Sequence, residues 1–184
     1  QGRCLCLLLM LLPAIAHAED SPLGMSVVET KDLKLIYFDS LGYLEPHAIR
    51  TFTNSLAWQR RMFGWTPSEP TTILLKDLSD YGNAYQQSAP HNRLVFDIAP
   101  LSHAFETFPA SERMFSLMNH EMVHVATGDV SSEEERRWRR FFLGKVAPQA
   151  QHPETLLYSY LTIPRFTAPR WLNEGIAVFT ETWM

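Results

Sequence analysis

Two histidines four residues apart, with a glutamate directly after the first, constrain the fold of this 184-residue chain more than any other feature. The histidines are His120 and His124, and the glutamate is Glu121. On an α-helix, side chains at positions i and i+4 project from the same face. Two imidazoles so placed can hold one zinc ion at nitrogen–metal distances of about 2.0–2.1 Å. Glu121 lies about 100° further round the helix, where it can act as a general base without binding the metal.

The surrounding residues predict the helix that this pattern needs. It should span residues 111–127, with Ser111 as its N-cap and Gly128 as the residue that ends it. Apolar residues recur at helical spacing and should form its core-facing side: Met114, Phe115, Met118, Met122 and Val125. The remaining histidines that have no partner at ligand spacing are expected to be ordinary side chains: His47, His91, His103 and His152.

A catalytic zinc ion takes three protein ligands, so the pattern needs a third residue from elsewhere. Glu174 is the best candidate, because it lies in an otherwise apolar run where a buried carboxylate would need a cation partner. Glu181 lies seven residues further on, on the same helical face. We expect it either to hydrogen-bond a ligand histidine or to be an ordinary solvated side chain.

These two stretches resemble a known group of enzymes. Residues 120–129, HEMVHVATGD, are similar to the HExxHxxxGN stretch of aminopeptidase N-like gluzincins, and residues 171–181, WLNEGIAVFTE, are similar to their WLNEGFAxYxE stretch. Gluzincins are zinc peptidases with a mixed sheet and two active-site helices, and the closer match is the broad group of secreted peptidase MA-like domains.

The resemblance implies a residue set and a chemistry. The zinc ligands would be His120, His124 and Glu174, with Glu121 as base and proton shuttle. The cofactor would be Zn²⁺, the substrate a peptide or protein, and the fold zincin-like, with a small mixed sheet, an active-site helix and a third-ligand helix.

Charge and hydropathy exclude two classes of protein. The chain has 16 Lys and Arg against 20 Asp and Glu, a net charge of −4, whereas a nucleic-acid-binding protein would show a basic excess on one face. No apolar run reaches the roughly 18 residues that a membrane-spanning helix needs, so we expect none. The composition indicates no particular oligomeric state.

The N-terminal segment 1–18 has the pattern of a signal peptide. Arg3 supplies a positive charge, residues 4–15 form an apolar core, and residues 16–18 read Ala-His-Ala, the small-x-small pattern that a signal peptidase cuts after. The sequence therefore predicts export to the periplasm or the medium. An uncleaved anchor helix is the alternative.

Both cysteines, Cys4 and Cys6, lie inside this segment. The domain 19–184 would then have no disulfide bond, so its core or a metal must hold it together. We expect the domain to continue beyond Met184, because the last apolar run has no helix stop signal.

The order of the expected elements predicts an α+β domain. The expected strands are 27–29 and 33–38, paired as a hairpin, then 71–75 and 93–98. The expected helices are 44–63, 111–127, 132–143 and 171–184. Two stretches rich in Pro, Gly, Asn or Ser should be irregular: 76–92 and 146–168.

Residues 132–143 form the charged helix between the two motifs. It is either a lid that binds acidic substrate groups or a surface helix docked through Trp138, Phe141 and Phe142. We favour the second interpretation, because glutamates balance the arginines.

The strand 93–98 is the last before the zinc helix, and the resemblance places an edge strand there. A peptide substrate could add to such an edge as one more strand. We therefore expect the substrate to lie along residues 93–98.

Two other functions stay open. One is a binding module on a degenerate peptidase scaffold, since the oxyanion donor is not evident; Tyr158, Tyr160 or His152 could supply it. The other is a zinc hydrolase that acts on a non-peptide amide or ester.

Overall fold

A computed structural model describes residues 23–80, 82–98, 113–162 and 168–181. The expected signal peptide 1–18, the expected N-cap Ser111 and His103 lie outside these residues. Within them, no helix is both long enough and apolar enough to span a bilayer.

Five strands form one mixed sheet in the order β1-β2-β3-β5-β4. The strands are β1 (Met25–Glu29), β2 (Leu33–Phe38), β3 (Thr71–Lys76), β4 (Asn83–Gln87) and β5 (Arg93–Asp97). β1 and β2 are an antiparallel hairpin, as expected, and β2, β3 and β5 run parallel. β4 pairs antiparallel with β5 and lies at the end of the sheet.

The described helices are α1 (Glu45–Phe63), α2 (Arg113–Asp129), α3 (Glu133–Phe141), α4 (Glu154–Thr162) and α5 (Arg170–Glu181). The mixed sheet and these helices confirm the α+β class. α1 connects the parallel strands β2 and β3, with Pro46 in its first turn and Gly64 at its end. Gly64 has a φ of +55°, the left-handed conformation that commonly ends a helix.

One face of the sheet packs against α1 and α2. Side chains alternate along β2, so that Leu33, Leu35 and Tyr37 are buried and their neighbours are less so. α1 adds Phe52 to the same core. α2 contributes four of its predicted core residues, which are Met114, Met118, Met122 and Val125. The prediction for Phe115 is wrong, because that ring is exposed.

The region 76–92 is not irregular throughout, because it contains β4. The prediction missed this strand since Asn83, Gln86 and Gln87 are not β-prone residues. At the end of a sheet, polar side chains can remain solvated, so pairing with β5 is enough to hold the strand.

The position of β4 overturns the expectation that 93–98 is an edge strand. β5 has β3 on one side and β4 on the other, and Val95 and Phe96 on its two faces are both buried. A peptide cannot add to β5, because its backbone groups are already paired within the sheet.

Two helix predictions also need correction. The region 146–168 contains α4, which begins directly after Pro153; proline is tolerated at a helix start because the first amides have no partner within the helix. α2 runs through Gly128 to Asp129 instead of ending at Gly128. The reason is that Asp129 is held by side chains from three other segments.

Candidate metal centre

The candidate site lies where α2 packs against α5. α2 turns Met118 and Met122 into the core, and this leaves His120 and His124 on the side toward α5. α5 presents Glu174 and Glu181 from one face, seven residues apart, with Ala177 completely buried between them. The small alanine side chain lets the two helices approach at this point.

The structure brings the three predicted ligands together. The Nε2 atoms of His120 and His124 are 3.2 Å apart. Oε2 of Glu174 lies 3.2 Å from Nε2 of His120 and 3.5 Å from Nε2 of His124. Three potential ligand atoms therefore form a nearly equilateral triangle.

The donor set and its spacing fit a zinc ion. Two imidazole nitrogens and one carboxylate oxygen are the ligand set of many catalytic zinc sites. With bonds of about 2.0–2.1 Å and tetrahedral angles, ligand atoms stand about 3.3 Å apart, which agrees with the 3.2–3.5 Å found here. If both Nε2 atoms are unprotonated, their lone pairs face each other at this distance, an arrangement that a cation between them would stabilise.

Glu181 orients the first of these histidines. Its Oε2 accepts a hydrogen bond from Nδ1 of His120 at 2.9 Å. A proton held on Nδ1 leaves Nε2 with a free lone pair directed at the other two ligand atoms. Of the two interpretations of Glu181, this contact favours the one in which it supports a ligand histidine.

Glu121 has a different environment from the ligands. It is buried, with 7% of its surface exposed. Burial raises the pKa of Glu121 to about 7, with the charge of His120 opposing the shift and that of Glu174 adding to it. A carboxylate with a pKa near neutrality can both take up and release a proton.

The pKa values of His124 and Glu174 are both lower than usual. Burial lowers the pKa of His124, as does the neighbouring His120, so the neutral imidazole is favoured. Burial would raise the pKa of Glu174, but the charges of His124 and His120 overcome this and hold its pKa below the usual value. Neutral imidazoles and an ionised carboxylate are the forms that bind a metal.

The expectation that the Glu174 carboxylate is buried is wrong. Its side chain is 42% exposed, because Trp171, Leu172, Val178 and Phe179 point largely to solvent instead of enclosing it. Glu174 approaches the histidines because of its place on α5, and not because burial forces it toward a cation.

A polar cluster that was not predicted from the sequence lies at the end of α2. Asp129 accepts hydrogen bonds from Trp65 Nε1 at 3.0 Å and from Ser68 Oγ at 2.7 Å. It also pairs with Arg139 of α3 at 3.1 Å and with Lys145 at 3.0 Å. These contacts tie α2 to α3 and to the loop before β3.

Lys145 is the member of this cluster with no clear sequence signal. Its ammonium group reaches Asp129, Asn92 and Glu69, so three acceptors satisfy its three protons. A lone lysine in a Gly-Lys-Val run suggests a solvated side chain. Only the fold brings its three acceptors together.

The three candidate oxyanion donors differ in burial and in partners. Tyr158 is buried and its ring packs against Phe142, Tyr160 is largely exposed, and His152 pairs with Glu154. None of these contacts involves His120 or His124.

No known protein-family profile and no curated protein sequence matches the chain. Among solved structures, the chain is similar to an aminopeptidase N family protein from Idiomarina loihiensis, with 13% sequence identity and a TM-score of 0.45. The alignment covers 86% of this chain and 24% of that protein, so the chain spans about a quarter of its length. At this level of similarity, only the geometry of the site can support a functional inference.

Proposed function

We propose that the chain is a zinc-dependent metallopeptidase domain of the gluzincin type, with a zincin-like fold. The observation that carries this proposal is the triangle of His120, His124 and Glu174, whose ligand atoms have the spacing of a tetrahedral zinc site. A structural zinc site would have four protein ligands. Among the described residues, three His and Glu side chains group here, which leaves a position for water.

Each residue has a distinct role in this proposal. His120, His124 and Glu174 would hold the ion, and Glu181 would hold the His120 ring in place. A bound zinc ion supplies Lewis acidity, which polarises a carbonyl group and lowers the pKa of water. Glu121 would accept a proton from the attacking water and return it to the leaving amine.

The sheet offers a place for an extended substrate at β4. This strand is the end strand of the sheet among the described residues, and it packs against α2. An unpaired strand edge presents backbone N–H and C=O groups to which a peptide can add. This feature favours a peptide over a small amide or ester as the substrate.

Export belongs to the same proposal. Residues 1–18 would direct the chain out of the cytoplasm and be removed, and residues 19–184 would belong to the peptidase domain. The absence of cysteine after Cys6 is compatible with either redox environment.

The test is cleavage of an unstructured protein such as β-casein. We expect cleavage that stops with a chelator such as 1,10-phenanthroline and returns with added zinc. Zinc binding without cleavage would instead indicate a binding module. Hydrolysis restricted to small esters or amides would indicate the non-peptide hydrolase, and failure to bind zinc would contradict all three.

A further inference from the structure

Helix α3 ends in a left-handed residue that is not glycine. The amide of Gly144 donates to the carbonyl of Arg139 at 2.8 Å, and the amide of Leu143 donates to that of Arg140 at 3.3 Å. This is the Schellman arrangement, in which glycine usually occupies the left-handed position. Here Leu143 occupies it, with a φ of +60°. A residue with a Cβ adopts this conformation only at a cost in free energy.

The strained backbone holds an apolar side chain in water. Leu143 is 96% exposed, and Phe141, two residues earlier, is 72% exposed. Helix capping does not need a leucine here, and the core does not use it. The cost of this backbone conformation therefore needs an explanation other than packing of the Leu143 side chain in the core.

Two arginines beside these residues are free to meet an anion. Arg137 and Arg140 lie on the outward face of α3 with Phe141, within about 100° of one another. Both arginines are exposed, and no ion pair within the described part of the chain involves either guanidinium group. The glutamate balance expected from the sequence is therefore not realised at this end of the helix.

The acidic residues of α3 lie at its other end. Glu133, Glu134 and Glu135 are in the first turn. Along the axis they lie about 8–10 Å from Arg140 and about 3–6 Å from Arg137. The distance to Arg140 is about one Debye length at physiological ionic strength. The C-terminal tip is thus locally cationic, although the chain as a whole carries a net charge of −4.

We propose that the α3 tip, defined as Arg137, Arg140, Phe141 and Leu143, inserts into the interface of an anionic lipid membrane. The arginines would meet lipid phosphates, and the two apolar side chains would enter the acyl boundary. Arginine suits this place because its stem can pack on apolar groups while its head remains at the phosphate level.

The shape of the tip favours lipid over an acidic protein. Leu143 protrudes into solvent, and the largely exposed ring of Phe141 packs by its edge against Trp138 and Phe142. A protein partner would need a pocket matched to each side chain, whereas a fluid acyl layer accommodates any protruding group. The proposal does not depend on the metal site.

The test uses the full chain and a local readout, because the apolar residues 4–15 could bind lipid by themselves. We would measure deuterium uptake in the peptide 137–145 with vesicles of equal parts phosphatidylcholine and phosphatidylglycerol. Uptake should fall with these vesicles, and much less with pure phosphatidylcholine or at high salt. In Leu143→Gly, the lipid concentration for half-maximal protection should rise about tenfold.

Leu143→Gly should at the same time melt at an equal or higher temperature, because glycine relieves the left-handed strain. Loss of protection together with retained stability therefore supports insertion and excludes misfolding. The control is Leu78→Ser, which removes a leucine that is 75% exposed on the loop before β4. With anionic vesicles, deuterium uptake in the peptide 137–145 should fall in Leu78→Ser as much as in the parent.

Three results would overturn the proposal. The first is unchanged uptake in 137–145 with anionic vesicles, and the second is protection of Leu143→Gly equal to that of the parent. The third is a parent dimer in sedimentation that Leu143→Gly abolishes, which would assign the tip to a second copy of the chain.

Discussion

Nζ of Lys145 lies 3.0 Å from Oδ1 of Asp129, and the two side chains are 3% and 0% exposed. The pair joins the last residue of α2 to the loop after α3. Because both charges are removed from water, each depends on the other for its stability inside the protein.

Removing one member of this pair should therefore destabilise the fold strongly. We expect Asp129→Asn to cost about 3–5 kcal/mol, because it leaves the Lys145 ammonium without its most buried partner. The double variant Asp129→Asn/Lys145→Met should recover part of that loss. Urea unfolding of the parent, both single variants and the double variant gives the coupling free energy. A coupling near zero would show that the two charges act independently.

The same pair should make stability depend on acid. Burial would raise the pKa of Asp129, but Lys145 and Ser68 lower it to about 2 from a model-compound value of 3.8. A lowered pKa in the folded state stabilises the fold above pH 4, and this contribution is lost as the pH falls toward 2. The loss should be about 2 kcal/mol. As the pH is lowered across this range, the urea midpoint should fall less steeply in the Asp129→Asn/Lys145→Met variant than in the parent. Some pH dependence should remain in the variant, because it keeps Glu69.

Glu121→Gln should abolish turnover and keep the metal. The amide has nearly the same shape as the carboxylate but cannot accept a proton, and loss of a general base typically costs about 10²–10⁴-fold in rate. The measurements are casein cleavage and zinc content on the same preparation. Glu154→Gln, a change of an exposed glutamate on α4, is the matched control. A Glu121→Gln variant with near-parental cleavage would refute the mechanism.

The two glutamates of α5 should affect zinc affinity to different extents. Glu181→Gln removes the partner of His120 Nδ1 and should weaken zinc binding by about 10–100-fold, as is usual for a partner of a ligand histidine. Glu174→Gln removes a ligand and should weaken it more. Competition with a chromophoric chelator measures both. Equal affinities in the parent and in Glu174→Gln would remove Glu174 from the site.

Proline scanning of β4 should locate the substrate edge. Successive residues of a strand direct their N–H groups to opposite sides, so Tyr85 and Gln86 differ in which neighbour they face. Proline at the position whose N–H pairs with β5 should destabilise the sheet. Proline at the other should leave the melting temperature near that of the parent and lower peptide cleavage. If the well-folded variant cleaves like the parent, the substrate does not add to β4.

The sequence predicted the elements whose signals are local. Met114, Met118 and Met122 recur every four residues, and this period predicts the helix α2. On a helix, the same four-residue spacing places His120 and His124 on one face. The strands β2 and β3 are apolar and β-branched, and Gly64 marks the end of α1. In each case, residues nearby in the sequence determine the secondary structure.

The features that sequence reasoning missed are those that depend on distant neighbours. β4 is polar and holds its conformation because β5 lies beside it. α2 continues one residue past Gly128 to Asp129, because the Asp129 side chain binds Trp65, Ser68 and Lys145. Nothing near these residues in the sequence indicates such partners.

The two carboxylates of α5 have a consequence for the helix itself. Only Ala177 and Thr180 of α5 are buried, so apolar packing contributes little to holding this helix against the described part of the domain. Glu174 and Glu181 are about 10 Å apart along the axis of α5, and both contact His120 of α2. One ion would connect to Glu174 directly and to Glu181 through His120. Folding of α5 and occupancy of the site would then be a single cooperative event, in which the ion serves as a substitute for hydrophobic core.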